Sequence, residues 1–240
     1  MINLLVRTPE IGTEPEIGLT FYIQAIVDLA TQRPIGYEWL TRPTRGPSAS
    51  ALWMWADRTA QIPALSRAVF TAAAHYRSRL PGTLFLNVDV QAIPVLTRWP
   101  HREACFAPWV VELTERAVPT PPEWDQVQHW AVELAVDDFG MGDDFLGKLL
   151  KWPVQWMKLD RSIVQHCATD AAYQDMVRYL LTITTRRGIT VIAEGIETSA
   201  EYHGLRALGI PYGQGYRWGR PRSVAHERWM VPHSFGETSG

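Results

Sequence analysis

Two periods of apolar spacing alternate along the chain. Short runs of branched and aromatic residues, "TLFLNVDV", "WVVELTE", "VELAVDDF", "VQWMKLD" and "GITVIAEG", have the length and composition of strands. Between and around them lie helical patterns. In "ALSRAVFTAAAHYRSR", Leu65, Val69, Ala72 and Tyr76 recur at helical spacing. "DAAYQDMVRYLLTITTRRG" is a long amphipathic helix with Arg186 and Arg187 in its last turn and Gly188 as its stop. "TSAEYHGLRALG" is another, with Thr198 and Glu201 as a capping box and Gly209 at its end. Near the N-terminus, "LTFYIQAIVDLATQRPIGYEWLTR" reads as two strands around a polar turn at Thr31 to Pro34. Pro-rich "AVPTPPEW" reads as a loop leading into a helix.

Strand alternating with helix, with no Gly/Ser linker inside the pattern, predicts a parallel sheet with crossover helices. A chain of 240 residues fits one (β/α)8 barrel of the TIM type. An open doubly wound sheet is the structural alternative. No internal repeat is visible, and the tail "HSFGETSG", residues 233–240, is expected to be disordered.

Composition narrows the functional classes. The chain is 46% hydrophobic and 20% charged, with a formal net charge of −2 and no long basic run, which speaks against a DNA or RNA duplex as partner. The two cysteines, Cys105 and Cys167, form no CxxC and support neither a disulfide framework nor a structural zinc site. No apolar run approaches the roughly 20 residues of a membrane span, and the N-terminal apolar patch is too short for a signal sequence. The expectation is a cytoplasmic chain without membrane contact of its own.

The candidate chemistry sits where the apolar runs stop. "PIGYE" ends at Glu38, "TLFLN" at Asn87, "WVVE" at Glu112, "LAVDD" at Asp137 and Asp138, "WMKLD" at Lys158 and Asp160, "VIAE" at Glu194, and "YGQG" adds Gln214. Singly, each has an ordinary explanation: a turn-capping Asn, an Asx turn before Gly140, a surface ion pair of Lys158 with Asp160, an acidic helix start at Glu194 and Glu197. In a barrel, however, all of them share the rim at the strand C-termini, where active sites lie. Carboxylates with one amide and no His or Cys form a hard, oxygen-rich site suited to Mg²⁺ or Mn²⁺ rather than zinc. Adjacent aspartates suit two ions, a geometry used for in-line phosphoryl displacement. "GMGDDFLGK" is not a phosphate loop of the GxxxxGK[ST] type.

These runs, in this order, resemble the EAL domain family of cyclic di-GMP phosphodiesterases, over roughly residues 19 to 222. "GYEWLTR" looks like the motif that names the family, "LNVDV" like its Asn-bearing strand and "VVELTER" like its Glu-x-x-Glu strand. "VDDFGMG" resembles its Asp-Asp-Phe-Gly-Thr-Gly loop, "MKLDRSIV" its Lys-Ile-Asp-Arg-Ser-Phe-Val run, and "VIAEGIET" and "GQGYRWGRP" its last two motifs. The resemblance implies a single barrel over residues 1–232 with one antiparallel strand near the N-terminus. It implies that Glu38, Asn87, Glu112 and Asp137 hold one metal ion, and that Asp137, Asp138 and Glu194 serve a second. Glu194, Lys158 and Glu38 would be catalytic, with Glu194 the base for water. Arg42, Asp160, Glu197 and Gln214 would face substrate, and Glu115 would brace the loop after Asp138. The implied reaction opens cyclic di-GMP to linear pGpG in bacterial second-messenger signalling, in a chain that forms a homodimer.

The sequence also departs from that pattern. Trp39 stands where the family has Ala, and either packs outward or tilts Glu38. Asp89 replaces a Ser and could add charge at the rim. In the loop, Met141, Asp143 and Asp144 replace Thr, Tyr and Ser, so a hydroxyl partner for Glu115 is lost. An active phosphodiesterase therefore has two rivals: a cyclic di-GMP receptor with little hydrolysis, and a protein-interaction module that uses no nucleotide.

Overall fold

The computed structural model describes residues 5–6, 17–45, 48–99, 109–114, 119–130, 132–140 and 145–225. Glu115, Met141, Asp143, Asp144 and the expected tail fall outside them. A two-residue strand β1 (Leu5–Val6) precedes β2 (Ile17–Asp28), β3 (Pro34–Pro43), α1 (Ala49–Arg58), α2 (Ile62–Tyr76), β4 (Thr83–Val88) and α3 (Ile93–Thr97). Then come β5 (Trp109–Thr114), α4 (Pro121–Gln128), β6 (Glu133–Phe139), α5 (Phe145–Lys151), β7 (Trp156–Leu159) and α6 (Arg161–Cys167). The chain continues through α7 (Ala171–Arg187), β8 (Thr190–Ala193), α8 (Ser199–Leu208), β9 (Tyr212–Gln214) and a short β10 (Arg222–Ser223).

Strands β3 to β9 pair in sequence order, each parallel to the next. β2 lies antiparallel to β3 on one side and to β9 on the other, with Gln24 opposite Glu38 and Ile26 opposite Gln214. That double pairing closes the sheet and excludes the open doubly wound alternative. β1 and β10 extend β2 outside the ring.

Local chemistry sets the element ends. Asp170 caps α7, and Gly188 ends it in the left-handed conformation that favours glycine. The Thr198 and Glu201 capping box forms at α8, and an unforeseen second one, Thr120 with Glu123, starts α4 after the Pro-rich stretch. Leu65, Val69, Ala72 and Tyr76 of α2 are all buried, as their spacing predicts. Among the described residues, no helix is long and apolar enough to cross a membrane.

The hydrophobic interior has two parts. Outward-facing strand residues such as Leu84, Leu86, Val111, Leu113, Leu134, Val136, Met157 and Val191 pack against the helices. Inside the ring sits a small separate cluster, Ile26, Phe85, Val110, Ala135 and Ile192, joined by Ile35, Trp156 and Tyr212. Phe85 meets Trp156 edge-on at 5.4 Å, and Trp156 lies 5.8 Å from Tyr212. This apolar plug fills the barrel below its C-terminal mouth.

Candidate functional site

Side chains alternate along a strand, so the residue two beyond an inward-facing one also faces inward. Counting two onward from the plug reaches the candidates in turn. Phe85 leads to Asn87, Val110 to Glu112, Ala135 to Asp137, Trp156 to Lys158, Ile192 to Glu194 and Tyr212 to Gln214. Antiparallel β2 runs the other way, so Ile26 leads back to Gln24, and pairing with β3 sets Gln24 beside Glu38. Gln24 carries no sequence signal of its own, because its place follows from the antiparallel register alone.

Lys158 is the centre of this layer. Its side chain is 1% exposed, and its Nζ lies 2.7 Å from Glu194, 3.0 Å from Glu112, 3.1 Å from Asp137 and 3.6 Å from Glu38. Burial alone would lower the ammonium pKa. The surrounding carboxylates outweigh that, Asp137 and Glu112 most, and hold it well above its ordinary value. The ordinary alternative for Lys158, a surface pair with Asp160, gives way to this buried cage. Burial pushes Glu112 well above the usual carboxylate range, with Lys158 pulling down and Glu38 and Asp137 pushing up. Burial likewise carries Glu194 up to about 8, against the attraction of Lys158 and with the repulsion of Asp137 and Glu38.

Asp138 completes the cluster by breaking the alternation. Its φ of +54° is unusual for a residue other than glycine, and the β6–β7 register slips between Val136 and Phe139. Ligand oxygens of the adjacent Asp137 and Asp138 consequently gather with one of Glu194 inside 4.8 Å. Backbone strain of this kind concentrates at functional sites. Glu38 is held from two further sides: Asn87 Nδ2 donates to Oε1 at 3.3 Å, and Gln214 Nε2 donates to Oε2.

This donor set fits divalent cations. Four carboxylates, those of Glu38, Glu112, Asp137 and Glu194, converge on one ammonium with Asp138 alongside, leaving a large negative excess. Glu112 Oε2 is buried without a hydrogen-bond partner among the described residues. A buried carboxylate oxygen in that condition is costly unless a cation reaches it. The ligands are all oxygen, as magnesium, manganese and calcium prefer.

The other predicted positions divide. Gln214 is buried and turns both amide hydrogens inward, to Gln24 and Glu38. Asp160 caps α6 by accepting from Ser162 N at 2.8 Å, and Glu197 makes an exposed ion pair with Arg161 at 3.0 Å. Arg42 is partly buried near the end of β3, with Nη1 donating to Thr41 O at 3.0 Å. Of the two outcomes open for Trp39, outward packing is the one observed. Its ring is 2% exposed, lying 5.2 Å from Phe21 and 5.9 Å from Tyr76 of α2. Asp89 caps a helical turn by accepting from Gln91 N at 2.8 Å.

Fold and site together define a closed α/β barrel with a hard, oxygen-rich, lysine-centred cluster at the C-terminal ends of its strands. The EAL domain family model matches residues 16–221, and the chain belongs to that family. It is 28% identical over 239 residues to the probable cyclic di-GMP phosphodiesterase PdeN of Escherichia coli (strain K12), covering 88% of this chain and 45% of that protein. It is 31% identical over 179 residues to the oxygen sensor protein DosP of the same organism, covering 70% of this chain and 20% of that one. The chain therefore spans less than half the length of either relative. Among solved structures, a Klebsiella pneumoniae BlrP1 complex with calcium and cyclic di-GMP has a TM-score of 0.75 at 24% identity, covering 92% of this chain and 59% of that one. The FimX EAL domain from Pseudomonas aeruginosa, bound to cyclic di-GMP, has a TM-score of 0.72 at 19% identity, covering 85% and 90% respectively. Both likenesses establish the shared barrel.

Proposed function

We propose that this chain is a metal-dependent phosphodiesterase that hydrolyses one phosphodiester of cyclic di-GMP to give linear pGpG. The observation that carries the reading is the convergence of Glu38, Glu112, Asp137 and Glu194 on Lys158, with Asp138 alongside, at the mouth of the barrel. Relatives named as cyclic di-GMP phosphodiesterases and structural neighbours holding that dinucleotide support it.

In this reading Asp137, Asp138 and Glu194 hold one Mg²⁺ or Mn²⁺ ion, and Glu38, Asn87, Glu112 and Asp137 a second. Such ions, when bound, neutralise phosphoryl charge and lower the pKa of water. The protein's own groups supply the rest. The Glu194 carboxylate takes the proton of the attacking water, a role supported by its place beside Asp137 and Asp138 and 2.7 Å from Lys158 Nζ. Lys158 stays charged at neutral pH, so its ammonium donates hydrogens to the oxygen on which negative charge develops. Arg42 faces a phosphate of the dinucleotide. Gln214 and Asn87 fix the orientation of the Glu38 carboxylate. Asp160 and Glu197 act at the substrate side through the segments they hold. The proposal includes a homodimer, which light scattering would check, and a cytoplasmic setting.

Chromatographic product analysis with cyclic di-GMP across Mg²⁺, Mn²⁺ and Ca²⁺ tests the activity. Appearance of pGpG with Mg²⁺ or Mn²⁺ is expected, and no product at high enzyme concentration would sink the reading. The replacement of hydroxyl-bearing residues by Met141, Asp143 and Asp144 favours a second reading, a receptor with little turnover. Calorimetric binding of cyclic di-GMP without product formation would select it.

A further inference from the structure

Gln24 belongs to none of the residue sets assigned above, yet one hydrogen bond ties it to the cluster and a second to the backbone beyond β9. It lies on β2 directly opposite Glu38. Its Oε1 accepts from Gln214 Nε2 at 3.1 Å, and its own Nε2 donates to the Gly219 carbonyl at 3.2 Å. Gln214 spends its other amide hydrogen on Glu38 Oε2, while its Oε1 is buried with no partner among the described residues. A terminal amide rotates over a broad, nearly two-fold torsion. With nothing fixing Oε1, only the two acceptors on the nitrogen set the plane of the Gln214 amide. Removing the Gln24 acceptor leaves that plane free to turn, and the Glu38 carboxylate loses its fixed donor.

The outer anchor of this chain is stiff. Gly219 sits in a turn closed by Trp218 N donating to Gly215 O at 3.2 Å and Gly219 N donating to Tyr216 O at 3.1 Å. At Gly215 a Cβ would lie 2.0 Å from the Ile196 carbonyl oxygen, so the backbone there has no room to shift around a side chain. The path therefore runs from a braced turn after β9, through Gln24 and Gln214, to one oxygen of Glu38.

We infer that Gln24 is a positioning residue for Glu38, acting through Gln214 and tying the Glu38 carboxylate to the turn at 215–219. The inference rests on the reading of Glu38 as a metal ligand. Partners that orient ligands typically change metal affinity by 10–100-fold when removed.

The test is calorimetric titration of the full chain with Mn²⁺ alone, together with thermal unfolding in divalent-free buffer. Gln24→Met keeps the length of the side chain and removes both hydrogen bonds. It is expected to weaken Mn²⁺ binding by about 10–100-fold while the chain still unfolds in one cooperative transition. Gln214→Met should do the same, and the double variant should lose no more than the weaker single one, because both act through one carboxylate. Gln24→Glu keeps the acceptor for Gln214 but loses the donor to the Gly219 carbonyl, and should bind Mn²⁺ with an affinity between those of the unmodified chain and Gln24→Met. A Gln24→Met variant with undiminished affinity overturns the inference, as do additive losses in the double variant or a Gln24→Glu variant as weak as Gln24→Met. If Gln24→Met fails to fold, Gln24→Asn, one methylene too short to reach Gln214, is read against the same outcomes. Absence of Mn²⁺ binding by the unmodified chain removes the metal reading and this inference with it, whereas normal binding by both removes this inference alone.

Discussion

Two layers of the barrel interior, two residues apart on the same strands, are built on opposite principles. The lower layer, with Ile26, Phe85, Val110, Ala135 and Ile192, is fully buried hydrocarbon. The upper layer, with Glu38, Asn87, Glu112, Asp137, Lys158, Glu194 and Gln214, is an ion cluster with carboxylates in excess. Burial of the first drives folding. Burial of the second opposes it, because desolvating like charges costs more than one ammonium returns. The lower layer therefore supplies the rigid floor on which the upper layer is held in an unfavourable but chemically useful arrangement.

Glu38→Gln breaks the comparison most sharply. Pairing at Lys158 loses one of four carboxylates, so the divalent-free chain should unfold at an unchanged or higher temperature while pGpG formation falls below detection. A variant that keeps turnover would remove Glu38 from the ligand set. Phe85→Ala strikes the floor instead. It should cost about 3–5 kcal/mol of stability, the usual range for a large aromatic deleted from a packed core, measured by denaturant unfolding.

Lys158→Met leaves the carboxylates without their ammonium. Breaking a buried ion cluster in this way should destabilise the divalent-free chain by roughly 3–5 kcal/mol, and added Mn²⁺ should recover part of the loss. A variant as stable as the parent without Mn²⁺ would show that the cage carries no such strain.

The pH dependence is next in size. Glu194 is raised to about 8 in the folded chain. Its contribution to stability is therefore complete below its ordinary pKa and is lost as pH rises through about 8, because the folded state holds the proton more tightly than the unfolded one. A divalent ion needs that proton removed. Calorimetry should find Mn²⁺ binding tightening by up to about tenfold per pH unit and levelling off above about 8, with proton release to the buffer. Flat affinity across that window would remove Glu194 from the ligand set. The smallest effect is expected from Met141→Thr. A few-fold gain in turnover would place the cost in that loop, and an unchanged rate would clear it.

Much of the site could be read from the chain because the alternation of a strand is local. Asn87, Glu112, Asp137, Lys158 and Glu194 each follow an apolar run by a spacing that only needs the strand to exist. The capping boxes and the Gly188 and Gly209 stops are equally local. Helices α1 and α6 were less visible. α1 begins after the cap Ser48 and α6 after the cap Asp160, and both are short, at ten and seven residues.

What the sequence determined by itself is the set of strands, the order of the carboxylates and the oxygen-only character of the site. Those properties depend on each residue and its near neighbours. Only the tertiary structure decided that Lys158 stands inside a cage of four carboxylates rather than paired with Asp160, and that Trp39 packs outward while Glu38 points in. It also decided that Gln24 reaches Gln214 across the junction where β2 joins both β3 and β9. The physical reason is closure: when the ring shuts, strands far apart in the chain bring their ends within a few ångströms, and burial then sets the charge each end can hold.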